Sequence, residues 1–200
     1  MSDLLRTSTR PTRNALPRGI GRTIARWMVS FAGYPLGGYA AILLVGQVDS
    51  FGRALAGGLV TGAILGAVQG WAMRPAGPRP LRWILATAVG LTAGVAAGAA
   101  LADYQTDLGS LALQGAVCGA LVGTTQVVVL LPRLGAASFL WQPFLSGVFA
   151  IGWAVTASAG IDVDQQFTIF GSSGAFVATL LTAVLPLVLY NRHTIEKRAS

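Results

Sequence analysis

The chain has 200 residues, of which 54% are hydrophobic and only 10% charged, with a formal net charge of +7. A soluble domain of this size has no interior large enough for that much apolar surface. The basic balance does not indicate nucleic acid, because the arginines border apolar stretches instead of forming a patch on a polar domain. One cysteine, Cys118, and one histidine, His193, exclude an intrachain disulfide and a zinc shell built by the chain alone.

Residues 1–26 form a basic N-terminal segment, with Arg6, Arg10, Arg13, Arg18, Arg22 and Arg26 against Asp3. Arg18, Arg22 and Arg26 recur every four residues, with Ile20 and Ile24 roughly opposite. That pattern suits either a short interfacial helix on anionic lipid or a basic tail that only sets orientation. Six apolar stretches follow, at 27–46, 54–73, 83–102, 111–131, 139–160 and 170–190. Each is long enough as a helix to cross ~30 Å of hydrocarbon at ~1.5 Å per residue. The first is too long for the apolar core of a signal peptide and is read as a retained helix. The expected fold is an all-α membrane protein of six transmembrane helices over 27–190, followed by a basic tail at 191–200.

Charge orients these spans. The N-terminal arginines, Arg74, Arg79, Arg82, Arg133, Arg192, Lys197 and Arg198 fall on one side, and Arg53 is the lone basic residue on the other. Asp49, Asp103, Asp107, Asp162 and Asp164 lie on that second side. The positive-inside rule then predicts both termini in the cytoplasm of a bacterial plasma membrane.

The six spans read as three copies of one hairpin, at about 27–74, 83–133 and 141–190. Each opens on a tryptophan, Trp27, Trp83 or Trp141, expected to anchor at the cytoplasmic interface where indole meets lipid and water. Glycines follow in the first helix: Gly33 and Gly37, then Gly90, Gly94 and Gly98, then Gly147 and Gly152. Asp49, Asp103 and Asp162 mark the outer turns. The second helices carry ladders: Gly58, Gly62, Gly66; Gly115, Gly119, Gly123; and a weaker Gly174, Ala178, Thr182. Gln69 and Gln126 close the first two at a period of about 57, an internal repeat. All three hairpins run in–out–in, so parallel repeats about an axis along the membrane normal are expected. Small residues four apart let helix backbones approach closely, which is how helices associate in lipid.

The segment from Gly62 to Arg74, GAILGAVQGWAMR, resembles a recurrent unit of uncharacterised bacterial multi-pass membrane proteins. In that unit a glycine ladder ends in a Gln-Trp pair, a short apolar run and an arginine. The segments from Gly119 to Arg133 and from Gly174 to Arg192 are similar. The chain departs from the pattern where Gly70 separates Gln69 from Trp71 and where Val127 follows Gln126. The resemblance implies a polytopic membrane protein and carries no activity.

Gly171-Ser172-Ser173-Gly174 resembles the nucleophile segment of rhomboid proteases. Its serine needs a histidine within hydrogen-bond reach, and His193 lies twenty residues on, about 30 Å along a helix. The scattered aspartates fall short of the six to eight oxygens Ca²⁺ takes. No phosphate-binding P-loop occurs. Nor does an ionisable residue lie mid-span, which argues against a proton relay. Gln69 and Gln126 remain as a polar core, either interhelical glue or the lining of a solute path. No cofactor, metal or enzymatic activity is expected. The partners expected are the bilayer, anionic lipid at the N-terminal arginines, and further copies or a membrane complex. The leading function is a structural or accessory membrane component; the alternative is a passive channel or transporter for a small neutral solute.

Overall fold

A computed structural model describes residues 18–160 and 168–199. These form eight α-helices: α1 (Arg18–Val29), α2 (Gly33–Val45), α3 (Phe51–Ala72), α4 (Pro80–Leu101), α5 (Leu108–Leu134), α6 (Trp141–Ser158), α7 (Ser172–Thr182) and α8 (Val184–Ala199). Short 3-10 turns join α1 to α2 and α5 to α6.

Among the described residues, five helical segments are long and apolar enough to cross a membrane. One of them, Leu108–Ser158, has 51 residues and comprises α5 and α6. Gly135, at φ +57°, ends α5 in the left-handed region that a residue without Cβ adopts freely. The chain then doubles back. Gly115 meets Phe149, Gly119 meets Leu145 and Gly123 meets Gln142, an antiparallel register.

The termini of the helices follow from local chemistry. Gly46, at φ +91°, closes α2. Pro80 opens α4, where its missing N–H costs nothing. Asp107 caps α5, its carboxylate accepting from the Gly109 and Ser110 amides at 2.9 and 3.2 Å. Two spans expected to be continuous are interrupted. The first breaks at Ser30–Ala32, ahead of Pro35, and the last at Ala183, ahead of Pro186. Proline cannot donate to the carbonyl four residues back, so the ladder loses a bond at each place.

Packing is antiparallel between neighbours in chain order. Gly58, Gly62 and Gly66 of α3 press on the backbone of α4 at Leu91, Ala88 and Ile84. Gly115, Gly119 and Gly123 of α5 press on α6 at Phe149, Leu145 and Gln142. The glycines advance by 57 from one interface to the other (58 to 115, 62 to 119, 66 to 123). Their partners advance by 57 or 58 (91 to 149, 88 to 145, 84 to 142). A second contact recurs likewise. Gly33 on Leu65 and Gly37 on Thr61 become Gly90 on Val122 and Gly94 on Cys118, every residue moved by 57. Gly98 continues that face onto Gln114. Large apolar side chains such as Leu44, Val89, Val128 and Leu140 point outward.

The last helices close onto the first. At this seam the backbone-on-backbone glycine ladder is absent; Gly19 of α1 meets the Tyr190 side chain of α8, and Gly38 of α2 meets that of Ile169. One more step of 57 from Gly62 and Gly119 arrives at Phe176, and one step back from Ala88 arrives at Phe31. These two rings meet edge-on at 6.3 Å. Gly174, expected to head a third ladder of the same kind, instead abuts the carbonyl of Gly152 within its own hairpin. Gly147 meets nothing within 4 Å.

Candidate functional site

The residues singled out in the sequence converge on one layer inside the bundle. A void of about 10 Å³ is lined by Trp27, Trp83, Trp141, Gln69, Gln126 and Thr182, with apolar neighbours. Trp83 Nε1 donates to Gln69 Oε1 at 3.2 Å, and Trp141 Nε1 donates to Gln126 Oε1 at 2.7 Å. Each amide thus accepts from the tryptophan that opens the following hairpin. Gln126 Nε2 donates to Thr87 Oγ1 at 3.0 Å, and the Tyr34 hydroxyl hydrogen-bonds Gln69. Buried amides are costly unless paired, and here they are paired with groups that need a partner themselves.

The third tryptophan finds a different acceptor. Trp27 Nε1 donates to the backbone carbonyl of Thr179 at 3.0 Å. The break at Ala183 makes that carbonyl available: the Ala183 amide bonds Leu180 O, leaving Thr179 O without its helical N–H partner. The glutamine of the first two hairpins is replaced by a helix defect that exposes an oxygen.

The tryptophans expected as interface anchors are not placed at an outer surface. Trp27 and Trp83 are each 1% exposed and Trp141 8%, because their indole N–H groups point inward to these acceptors. The exposed tryptophan is Trp71, with the Arg26 guanidinium 4.8 Å from its ring centroid.

Arginines close the helix ends on the basic side. Arg26 donates to the Trp71 and Arg74 carbonyls, each at 2.9 Å, and Arg192 donates to the Arg133 carbonyl at 2.9 Å. These satisfy C-terminal oxygens and place positive charge at the negative end of the helix dipole. In the sequence these arginines read as topology signals, and Arg26 also as part of a lipid-facing helix. Their partners lie 45 to 59 residues away, so no local pattern could reveal them.

The remaining candidates stay apart. Ser173 Oγ is buried and has no hydrogen-bond partner among the described residues, whereas His193 lines a pocket near the far end of α8. Asp49 pairs with Arg53 one helical turn away. Asp103 sits at φ +49° in the turn before α5. Hydrogen bonds from the Ser110 hydroxyl and amide hold the Asp107 carboxyl below its ordinary range. Asp162 and Asp164, and the N-terminal Arg6, Arg10 and Arg13, lie outside the described residues. No three His, Cys, Asp or Glu side chains gather among the described residues.

Comparison of the chain with family models, curated proteins and solved structures finds no match.

Proposed function

We propose that this is a multi-pass protein of a bacterial plasma membrane, acting as a structural or accessory component that packs within the bilayer. In this reading α5 and α6 are separate crossings, which makes six. The hairpins at about 27–74, 83–133 and 141–190 are parallel repeats about a pseudo-threefold axis, with both termini cytoplasmic. Contacts that recur at 57 and 58 residues support the repeat. The distribution of arginines supports the orientation.

The observation that carries the functional reading is the closed centre. A void of about 10 Å³ admits at most one water. The polar atoms that a neutral solute would need, the Gln69 and Gln126 amides, are already bonded to Trp83, Trp141 and Thr87. A passive path along the axis would have to break those pairs.

Two experiments test the reading. Reporter fusions after residues 76 and 135 should report cytoplasm, and those near 50, 105 and 163 the outside; one swapped pair overturns the six-crossing topology. Proteoliposomes loaded with small neutral solutes such as glycerol or urea should swell no faster than protein-free vesicles. Protein-dependent swelling abolished by Gln126→Leu would replace the structural reading with the channel.

A further inference from the structure

We infer that the basic end of the bundle carries a binding site for a phosphate-type oxyanion, built from the α3–α4 turn, the end of α5 and α8. A pocket of about 160 Å³ opens there, lined by Pro75, Ala76, Arg133, Leu189, Arg192, His193 and Glu196. It has sixteen times the room of the closed tryptophan–glutamine layer, and most of its lining is polar.

Its position follows from the register. Ala76 lies seven residues beyond Gln69, Arg133 seven beyond Gln126, and Leu189 seven beyond Thr182. Three residues that line the closed layer are therefore each followed, at the same interval, by a residue that lines this pocket. The segments that line the closed layer thus run on into the lining of this pocket, toward the segment ends that carry Arg74, Arg133 and Arg192. Leu189 and Ala76 form a dry floor, at 2% and 9% exposure, while Arg133, Arg192 and Glu196 are exposed at the rim.

The chemistry of the rim selects an oxyanion. Arg133 of α5 and Arg192 of α8 face one pocket, which costs like-charge repulsion unless an anion shares the space. One Arg192 N–H is committed to the Arg133 carbonyl, which fixes the guanidinium and leaves other donors of its planar fork free. Such a fork matches tetrahedral oxyanions through paired N–H···O bonds. His193 adds a donor from the same helix. Glu196 is a negative charge on the same rim and weakens the site as it stands. An anionic phospholipid headgroup and free inorganic phosphate present the same chemistry.

This site rests on the placement of the basic end, but its test runs in detergent and does not depend on orientation in a membrane. The full chain is purified in a neutral detergent. Binding is read as the ligand-dependent shift in unfolding temperature and as adducts in native mass spectrometry. The probes are phosphatidylglycerol, phosphatidylcholine and inorganic phosphate. Phosphatidylglycerol should stabilise the protein and remain as an adduct where phosphatidylcholine does not. Arg133→Gln and Arg192→Gln should each weaken it by about fivefold, the factor for ~1 kcal/mol per basic residue near an anionic headgroup. Glu196→Gln should tighten it, a gain that misfolding cannot produce. Arg79→Gln, which removes an exposed charge from the basic end without touching the pocket, should leave binding unchanged. Stabilisation by phosphate without phosphatidylglycerol would identify a free oxyanion as the ligand. The inference is overturned if neither anion acts on the wild type, if Glu196→Gln fails to tighten binding, or if Arg79→Gln weakens it as much as Arg192→Gln.

Discussion

The interfaces α3–α4 and α5–α6 differ from the seam, where α7 meets the first helices, in what keeps the chains apart. At the first two, glycine removes the side chain altogether and backbone touches backbone. A Cβ on Gly119 would lie 2.3 Å from the Leu145 carbonyl oxygen, and one on Gly62 would lie 2.7 Å from Ala88 Cα. At the seam two phenylalanines stand in those positions, and Tyr34 stacks on Phe170 at 5.3 Å. Both seam helices are broken next to a proline, and an apolar groove of about 320 Å³ opens between Tyr34, Ile42 and Phe170. Close packing needs two straight helices without side chains between them. A ring of helices made by one chain has one junction that no hairpin turn enforces, and there the sequence has relaxed both requirements.

The comparison breaks most visibly at the glycines. Gly119→Leu and Gly62→Leu should each destabilise the protein by about 3 kcal/mol or more, since neither backbone can retreat without parting the helices. Thermal unfolding in detergent measures this, and near-normal stability of both variants would show that the ladders carry no contact. Gly147→Ala, with open space around it, should leave stability unchanged or slightly raised.

The buried indoles give a graded second test. Trp141→Phe strands the Gln126 carbonyl inside the bundle and should cost ~1–3 kcal/mol. The double change Trp141→Phe with Gln126→Leu should recover part of that loss. Trp27→Phe acts on a backbone oxygen that Thr182 Oγ1 also approaches, at 3.3 Å, and should cost less. Equal losses at Trp27 and Trp141 would remove the distinction between seam and interior.

Phe176→Ala should be milder still. The ring is half-exposed, and an edge-on aromatic pair is worth ~0.5–1.5 kcal/mol beyond its buried area. Its effect should concentrate at the seam, with faster hydrogen exchange in α2 and α7 and little change in α4 and α5. Uniform acceleration would mean the ring opens as a whole.

The smallest effect belongs to Asp107. Its folded-state pKa is depressed by Ser110 and the first amides of α5, so its contribution is present above the ordinary carboxylate range. That contribution is lost as pH falls through the depressed value. Asp107→Asn should flatten the acid limb of the stability profile slightly, and an unchanged limb would show that the cap is idle.

Composition and length determined that this chain forms helices long and apolar enough to cross a membrane, because its apolar runs match a hydrocarbon thickness. Periodicity also placed the glycine ladders and singled out Gln69 and Gln126, since a residue four positions on shares a helix face. Tertiary structure decided the rest. The three tryptophans read as interface anchors, yet they turn inward, because whether an indole meets headgroups or a buried oxygen depends on an acceptor 14, 15 or 152 residues away in the chain and across a helix gap. Gly174 of the third ladder turned to Gly152 within its own hairpin, and a helix break ahead of Pro186 supplied the acceptor that a third glutamine would have provided. Arg26 and Arg192 became helix caps through carbonyls 45 to 59 residues away. Local pattern fixes which face of a helix is small, polar or apolar; only the assembled ring fixes what that face meets.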